Sequence, residues 1–191
     1  LGKNAKLSIT RAENDEWPES EISRADCLVI ISDGRDGDLP FAEASHLSSP
    51  TRINLIKEIV ARGAGIVPIH FATFASENDI EMAKQWQGAC FQWERNSKRD
   101  WFSKITWAKG MLDHATAGHL ILNGVEDSPF FEEYYHKLSF HPKSIPLVKI
   151  RALSGENDTE KIVAWAIDRE TGGHSLGTTM MHSLDSLRHN G

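Results

Sequence analysis

The sequence predicts an α/β fold built on a mostly parallel sheet. Two observations carry the prediction. Two apolar, β-branched runs, Cys27 to Ile31 and Gly65 to His70, read as buried strands, and the stretch between them repeats its apolar residues at helical spacing. A strand, a helix and a second strand in that order form a right-handed crossover, the connection that parallel neighbours require.

The elements follow in chain order. Cys27-Leu28-Val29-Ile30-Ile31 is apolar throughout, the pattern of a central strand covered on both faces, and Ser32 to Arg35 reads as a polar turn. Ser49 and Pro50 supply an N-cap and a first helical position, Ile53, Ile56, Ile59 and Val60 line one helical face, and Gly63 ends the helix. Gly65 to His70 is the second strand. Ser76 to Trp86 predicts a further helix, capped by Ser76 and stopped by Gly88. Beyond Gly88 the periodicity fades, and Trp93, Trp101 and Trp107 stand among charges, as in an excursion from the sheet. Strand patterns return at Tyr134 to Phe140, Leu147 to Ala152, Lys161 to Ile167 and Ser175 to Met181, with spacings short enough for some antiparallel pairing.

Composition narrows the function classes. The 191 residues, 40% hydrophobic and 25% charged, suit one soluble domain spanning 1–191. A net charge of -6 offers no basic field for nucleic acid or anionic membranes, so a small neutral ligand is the expected partner. Cys27 and Cys90, the two cysteines, form no metal-binding pair and read as small buried hydrophobes. No apolar run is long enough to span a membrane, and no signal peptide pattern is present. The expected setting is cytoplasmic, although the chain opens on Leu1, so a lost leader leaves the compartment open.

Ligands of open α/β sheets bind beyond the carboxyl ends of the strands. There the sequence places Asp33 and Arg35 after the first strand, His70 at the end of the second and His182 after the last. One carboxylate, one guanidinium and two imidazoles suit acid/base work or a metal ion. Each also has a plain structural reading: a hydrogen-bonded histidine, or an Asp-Gly turn at 33–37. Glu133 and Tyr135, in the run Phe130 to Tyr135, combine a carboxylate with a stacking ring; the plain reading of that run is a helix end leading into a strand. HExxH is absent, so a metal such as zinc would need ligands distant in sequence, His70 and His182 among them. Neither a GxSxG elbow nor a cysteine in the corresponding turn is present.

Three segments together resemble the ThuA-like (trehalose-utilisation) family. Arg62-Gly63-Ala64-Gly65-Ile66-Val67-Pro68-Ile69-His70-Phe71-Ala72 is similar to its glycine-rich strand and terminal histidine. Gly118-His119-Leu120-Ile121-Leu122-Asn123-Gly124-Val125, leading to Phe130 and Glu132-Glu133-Tyr134-Tyr135, resembles its central region, and Val163 to Ala166 with Gly172, Gly173, Gly177 and His182 resembles its closing strands. Leu120, Glu132 and Met181 depart from the usual proline, aspartate and small residue, and the family's first strand and helix have no counterpart here.

The resemblance implies a flavodoxin-like, class I glutamine amidotransferase-like three-layer sandwich. In it His70 occupies the elbow where amidotransferases carry a nucleophilic cysteine, which excludes glutamine hydrolysis through a thiolate. It also implies carbohydrate utilisation: hydrolysis, elimination or isomerisation of a disaccharide or keto-sugar, with His70 and His182 as acid/base residues, Glu133 assisting, and Asp33, Arg35 and Tyr135 holding substrate. A non-catalytic sugar-binding or regulatory protein and a metal-dependent hydrolase are the alternatives. Sheet edges left open by a missing first strand would favour a homo-oligomer.

Overall fold

The structure, a computed structural model, describes residues 8–12, 16–32, 45–47, 49–76, 78–92, 102–126, 129–151 and 158–182. Its elements are α1 (Glu19–Ile22), β1 (Cys27–Ser32), α2 (Pro50–Ala61), β2 (Gly65–His70), α3 (Ile80–Gln87), β3 (Ala89–Cys90), β4 (Lys104–His114), β5 (Pro129–His136), β6 (Ser139–Phe140), β7 (Ile145–Ile150), β8 (Ile162–Asp168) and β9 (His174–Thr178).

Seven strands form one sheet in the order β1-β2-β9-β8-β7-β4-β5, and β3 pairs with β6 apart from it. The predicted strand-helix-strand unit is there: β1 runs parallel to β2 in register from Cys27 opposite Gly65 to Ser32 opposite His70, and α2 lies between them in sequence. The expectation of a mostly parallel sheet holds only on this side. β2 and β9 are parallel, whereas β9 with β8, β8 with β7, β7 with β4 and β4 with β5 are antiparallel. The alternation points β1, β2, β9, β7 and β5 the same way, so their carboxyl ends share one edge of the sheet.

α2 follows the sequence closely. The Ser49 hydroxyl accepts from the Arg52 amide at 3.3 Å, a cap whose removal typically costs about 1 kcal/mol. Ile56, Ile59 and Val60 face the core with Leu47, Ile66, Ile80 and Trp86, and fully burying one such side chain contributes about 1.5–3 kcal/mol. α3 begins later than predicted. Asp79, not Ser76, is its N-cap, and the Ser76 hydroxyl instead donates to the Asp79 carboxylate at 2.6 Å. Gly88 ends the helix at φ 86, the left-handed position that glycine occupies without a Cβ clash.

Further points of the sequence reading are corrected. β1 is not covered on both faces: it lies at one end of the strand order, Ile30 is buried, and Val29 and Ile31 are exposed. Cys27, at its start, is exposed rather than buried, while Cys90 is buried as expected. The unassigned stretch after Gly88 contains an eleven-residue strand, β4, which pairs with β5 through Met111 and with β7 from Leu112 onward. The run Phe130 to Tyr135 is not a helix end but lies wholly in β5, and the predicted strand to Phe140 is broken after His136, where Lys137 takes φ 55.

Trp165 organises the centre of the sheet. Its indole is fully buried, donates to the Gln87 carbonyl at 2.6 Å and packs edge-on against Phe140. Gly177 on the adjacent β9 makes room for it, since a Cβ there would overlap the six-membered ring. Trp86 is buried as well and Trp17 packs partly buried against the core, whereas Trp107 is half exposed.

Candidate functional site

His70 is the last residue of β2, and its backbone turns sharply there at φ 56, ψ -122. For a non-glycine residue this conformation costs on the order of 1–3 kcal/mol, and such strain concentrates at functional sites. The Thr73 hydroxyl donates to the His70 carbonyl at 2.7 Å and holds the turn. The imidazole is fully buried, Nδ1 lies 2.8 Å from the Thr179 carbonyl, and the ring stacks on Tyr135 at 4.3 Å between centroids. A carbonyl can only accept, so His70 Nδ1 carries the proton of that bond and a neutral ring presents the Nε2 lone pair to the site.

His182 arrives from the end of β9, the neighbour of β2 in the sheet. Thr179, just after β9, anchors the exit: its amide donates to Val163 and its hydroxyl donates to the Tyr135 carbonyl at 2.6 Å, tying the end of β9 to β5. Met181 then adopts φ 82, a left-handed turn that normally favours glycine. Glu132 holds it in place. This carboxylate is 1% exposed and accepts the amides of Met181 at 3.1 Å, His182 at 3.3 Å and Glu133 at 2.8 Å. Burial, and then the Glu132 charge, push the Tyr134 phenol up to about 12, so Tyr134 stays neutral beside it.

Glu133, on the opposite face of β5 from Glu132, completes the group. Its Oε2 lies 3.1 Å from His70 Nε2 and 2.8 Å from His182 Nδ1, and the two imidazole nitrogens are 3.0 Å apart. The His70 side chain is closed off, Glu133 is nearly so, and about a third of His182 is exposed. On that open side Trp107 stands edge-on to His182 at 4.9 Å and stacks with Phe131 at 5.8 Å, and both aromatic rings are exposed.

Of the residues singled out in the sequence, His70, His182, Glu133 and Tyr135 therefore come together; Asp33 and Arg35 lie outside the described residues. Glu132 and Trp107 were not picked out for a role at this site. Glu132 is recognisable only once β5 is known to be a strand, whose alternation sends it to the opposite face from Glu133. Neither cysteine belongs to the cluster. Cys27 pairs with Gly65, at the other end of β2 from His70, and Cys90 is buried in β3.

The fold and the site thus define an α/β protein with a mixed sheet and a histidine-carboxylate cluster where strand ends meet. Solved structures of ThuA-like proteins share this fold. One from Parabacteroides merdae superposes with a TM-score of 0.58 at 15% identity over 85% of this chain, and one from Bacteroides uniformis with 0.55 at 10% over 87%. A Salmonella typhimurium protein described as cytoplasmic gives 0.54 at 14% over 88%. The chain spans 62% to 64% of the length of these three. No family model matches the chain, and no curated protein does. The resemblance read from the sequence is borne out by these structures at the level of the fold. No helix among the described residues is long and apolar enough to cross a membrane.

Proposed function

We propose that this chain is a ThuA-like protein of carbohydrate utilisation that acts on a disaccharide or keto-sugar at the His70, Glu133 and His182 cluster. The observation that carries the reading is the convergence of two imidazoles and a carboxylate within about 3 Å beside exposed Trp107. An exposed indole offers the apolar face of a pyranose a surface to lie on, and the cluster lies at its edge. The reading extends to the architecture, a flavodoxin-like three-layer sandwich related to class I glutamine amidotransferases. The strained backbone of His70 at a strand end supports it, being the kind of turn on which such folds mount a reacting side chain.

The chemistry that suits the cluster is proton transfer. Glu133 faces both imidazoles at hydrogen-bond distance. Elimination or isomerisation next to a sugar carbonyl needs one base and one acid, which Glu133 or the His70 lone pair and His182 can provide. The test is turnover of a panel of disaccharides and their 3-keto derivatives. His70→Ala should abolish product formation. Unchanged turnover removes His70 from the mechanism, and saturable sugar affinity without product assigns the cleft to a binding protein instead.

A further inference from the structure

The proton count at the cluster does not close with the three side chains alone. His70 Nδ1 spends its proton on the Thr179 carbonyl, so Nε2 brings a lone pair, and the Glu133 carboxylate brings only lone pairs. His182 Nδ1 can contribute one proton, and that proton can satisfy one contact. With neutral imidazoles the 2.8, 3.0 and 3.1 Å sides of the triangle leave acceptor facing acceptor along at least one side, and a second proton on His70 would only set donor against donor between the two rings instead. A cation at the centre resolves this.

The dimensions agree. Ligand atoms about 2.0–2.2 Å from one ion and roughly at right angles to each other lie about 3 Å apart, as these three atoms do. The surroundings agree as well: Thr179 fixes the tautomer and orientation of one imidazole through its other nitrogen, an outer-shell arrangement typical of metal-bound histidines. Glu132 holds the backbone of the other. The geometry points to a divalent transition-metal site in which His70 Nε2, His182 Nδ1 and Glu133 Oε2 occupy one face of the coordination shell. The remaining positions open toward the side of His182 and Trp107. One carboxylate leaves the bound dication a net positive charge, suited to neutral oxygen ligands such as a vicinal hydroxyl and carbonyl. That choice of ligand rests on the carbohydrate reading, in which an ion-bound cluster would hold the metal and no longer supply the acid and base itself; the metal assignment rests on the lone pairs and the spacing of the three atoms.

Titration calorimetry of the chelator-stripped full chain with Zn2+, and visible spectroscopy with Co2+, test it without any sugar. One ion per chain is expected, with Co2+ bands of a nitrogen and oxygen site. Glu133→Gln and the partly exposed His182→Ala, each checked for retained fold by circular dichroism, should weaken Zn2+ by more than the roughly 10–100-fold typical of losing an outer-shell partner. No stoichiometric binding, or binding that both variants retain, overturns the assignment. If Zn2+ fails to bind while sugar turnover still depends on His70, the metal falls and the sugar chemistry stands; if Zn2+ binds and no sugar is bound or turned over, the reverse holds.

Discussion

Replacing Glu132 with glutamine isolates what holds His182 in place. The carboxylate accepts three backbone amides, two on Oε1 and one on Oε2. Glutamine fills the same volume but has a single acceptor oxygen. Its better orientation keeps Oε1 and turns its NH2 toward the Met181 amide, setting donor against donor. A hydrogen bond to a charged group contributes about 1.5–3 kcal/mol, and a buried amide left without a partner adds its own desolvation cost. The two remaining bonds also lose their charge assistance. Glu132→Gln should therefore destabilise the fold by about 2–4 kcal/mol, read from denaturant midpoints at constant m-value. Met181, released from its left-handed turn, should let His182 move, so Zn2+ affinity should fall as well, even though Glu132 contacts no ion. A loss below about 0.5 kcal/mol, the range of ordinary surface substitutions, would refute the argument that this carboxylate clamps the 181–182 turn.

Two further predictions concern the frame around the site. Gly177→Ala should cost about 1–3 kcal/mol by overpacking against Trp165, and Trp165→Phe should absorb part of that cost by removing the ring atoms in the way; thermal unfolding of the four proteins of this cycle should show coupling, and strict additivity would contradict it. His46 is held down at about 4, chiefly by burial, against an unfolded value of 6.5. Only the unfolded chain takes up this proton between those values, so the His46 contribution is fully present above pH 6.5 and is lost as the pH falls toward 4, by about 3 kcal/mol. In His46→Gln that part of the pH dependence should vanish from denaturant melts between pH 7 and 4.5.

The parts of the fold that the sequence announces are those where local signal and burial agree. α2 has its cap, its apolar stripe and its stop within fifteen residues, and β2 and β8 are apolar because both their faces are largely covered. β1 reads the same way and misleads, since an apolar run does not say whether it ends at the middle or the edge of a sheet. β4 is hidden for the opposite reason: Trp107 and several neighbours are exposed or half-covered, so its alternation is weak. At the site, His70 and His182 were legible because strand ends are where ligands bind, but their nearness depends on the Thr179 anchor and on β5 reaching over to meet them. Pairings across more than a hundred residues leave no trace in local spacing. Met181 departs from the small residue usual at the closing turn, and Glu132, by accepting the amides of Met181 and His182, is what makes that turn possible.

The attachment of β5 gives the cluster a mechanical side. Two of its members stand on the parallel part of the sheet, and the third rides on the β4 and β5 pair, which meets the rest through the pairing of β4 with β7 at Leu112 to His114 and through the Thr179 hydroxyl on the Tyr135 carbonyl. Any local opening that lifts β5 away separates Glu133 from both imidazoles without unfolding β1, β2 or α2. An occupant gripping all three groups therefore adds RT ln(1 + [L]/Kd) to the cost of every opening that separates them, the lifting of β5 among them. Amide protons of β4 and β5 would then slow their exchange with solvent on ligation, while those of α2 that exchange by local fraying keep their rates, making this pair a part of the chain that registers whether the cleft is filled.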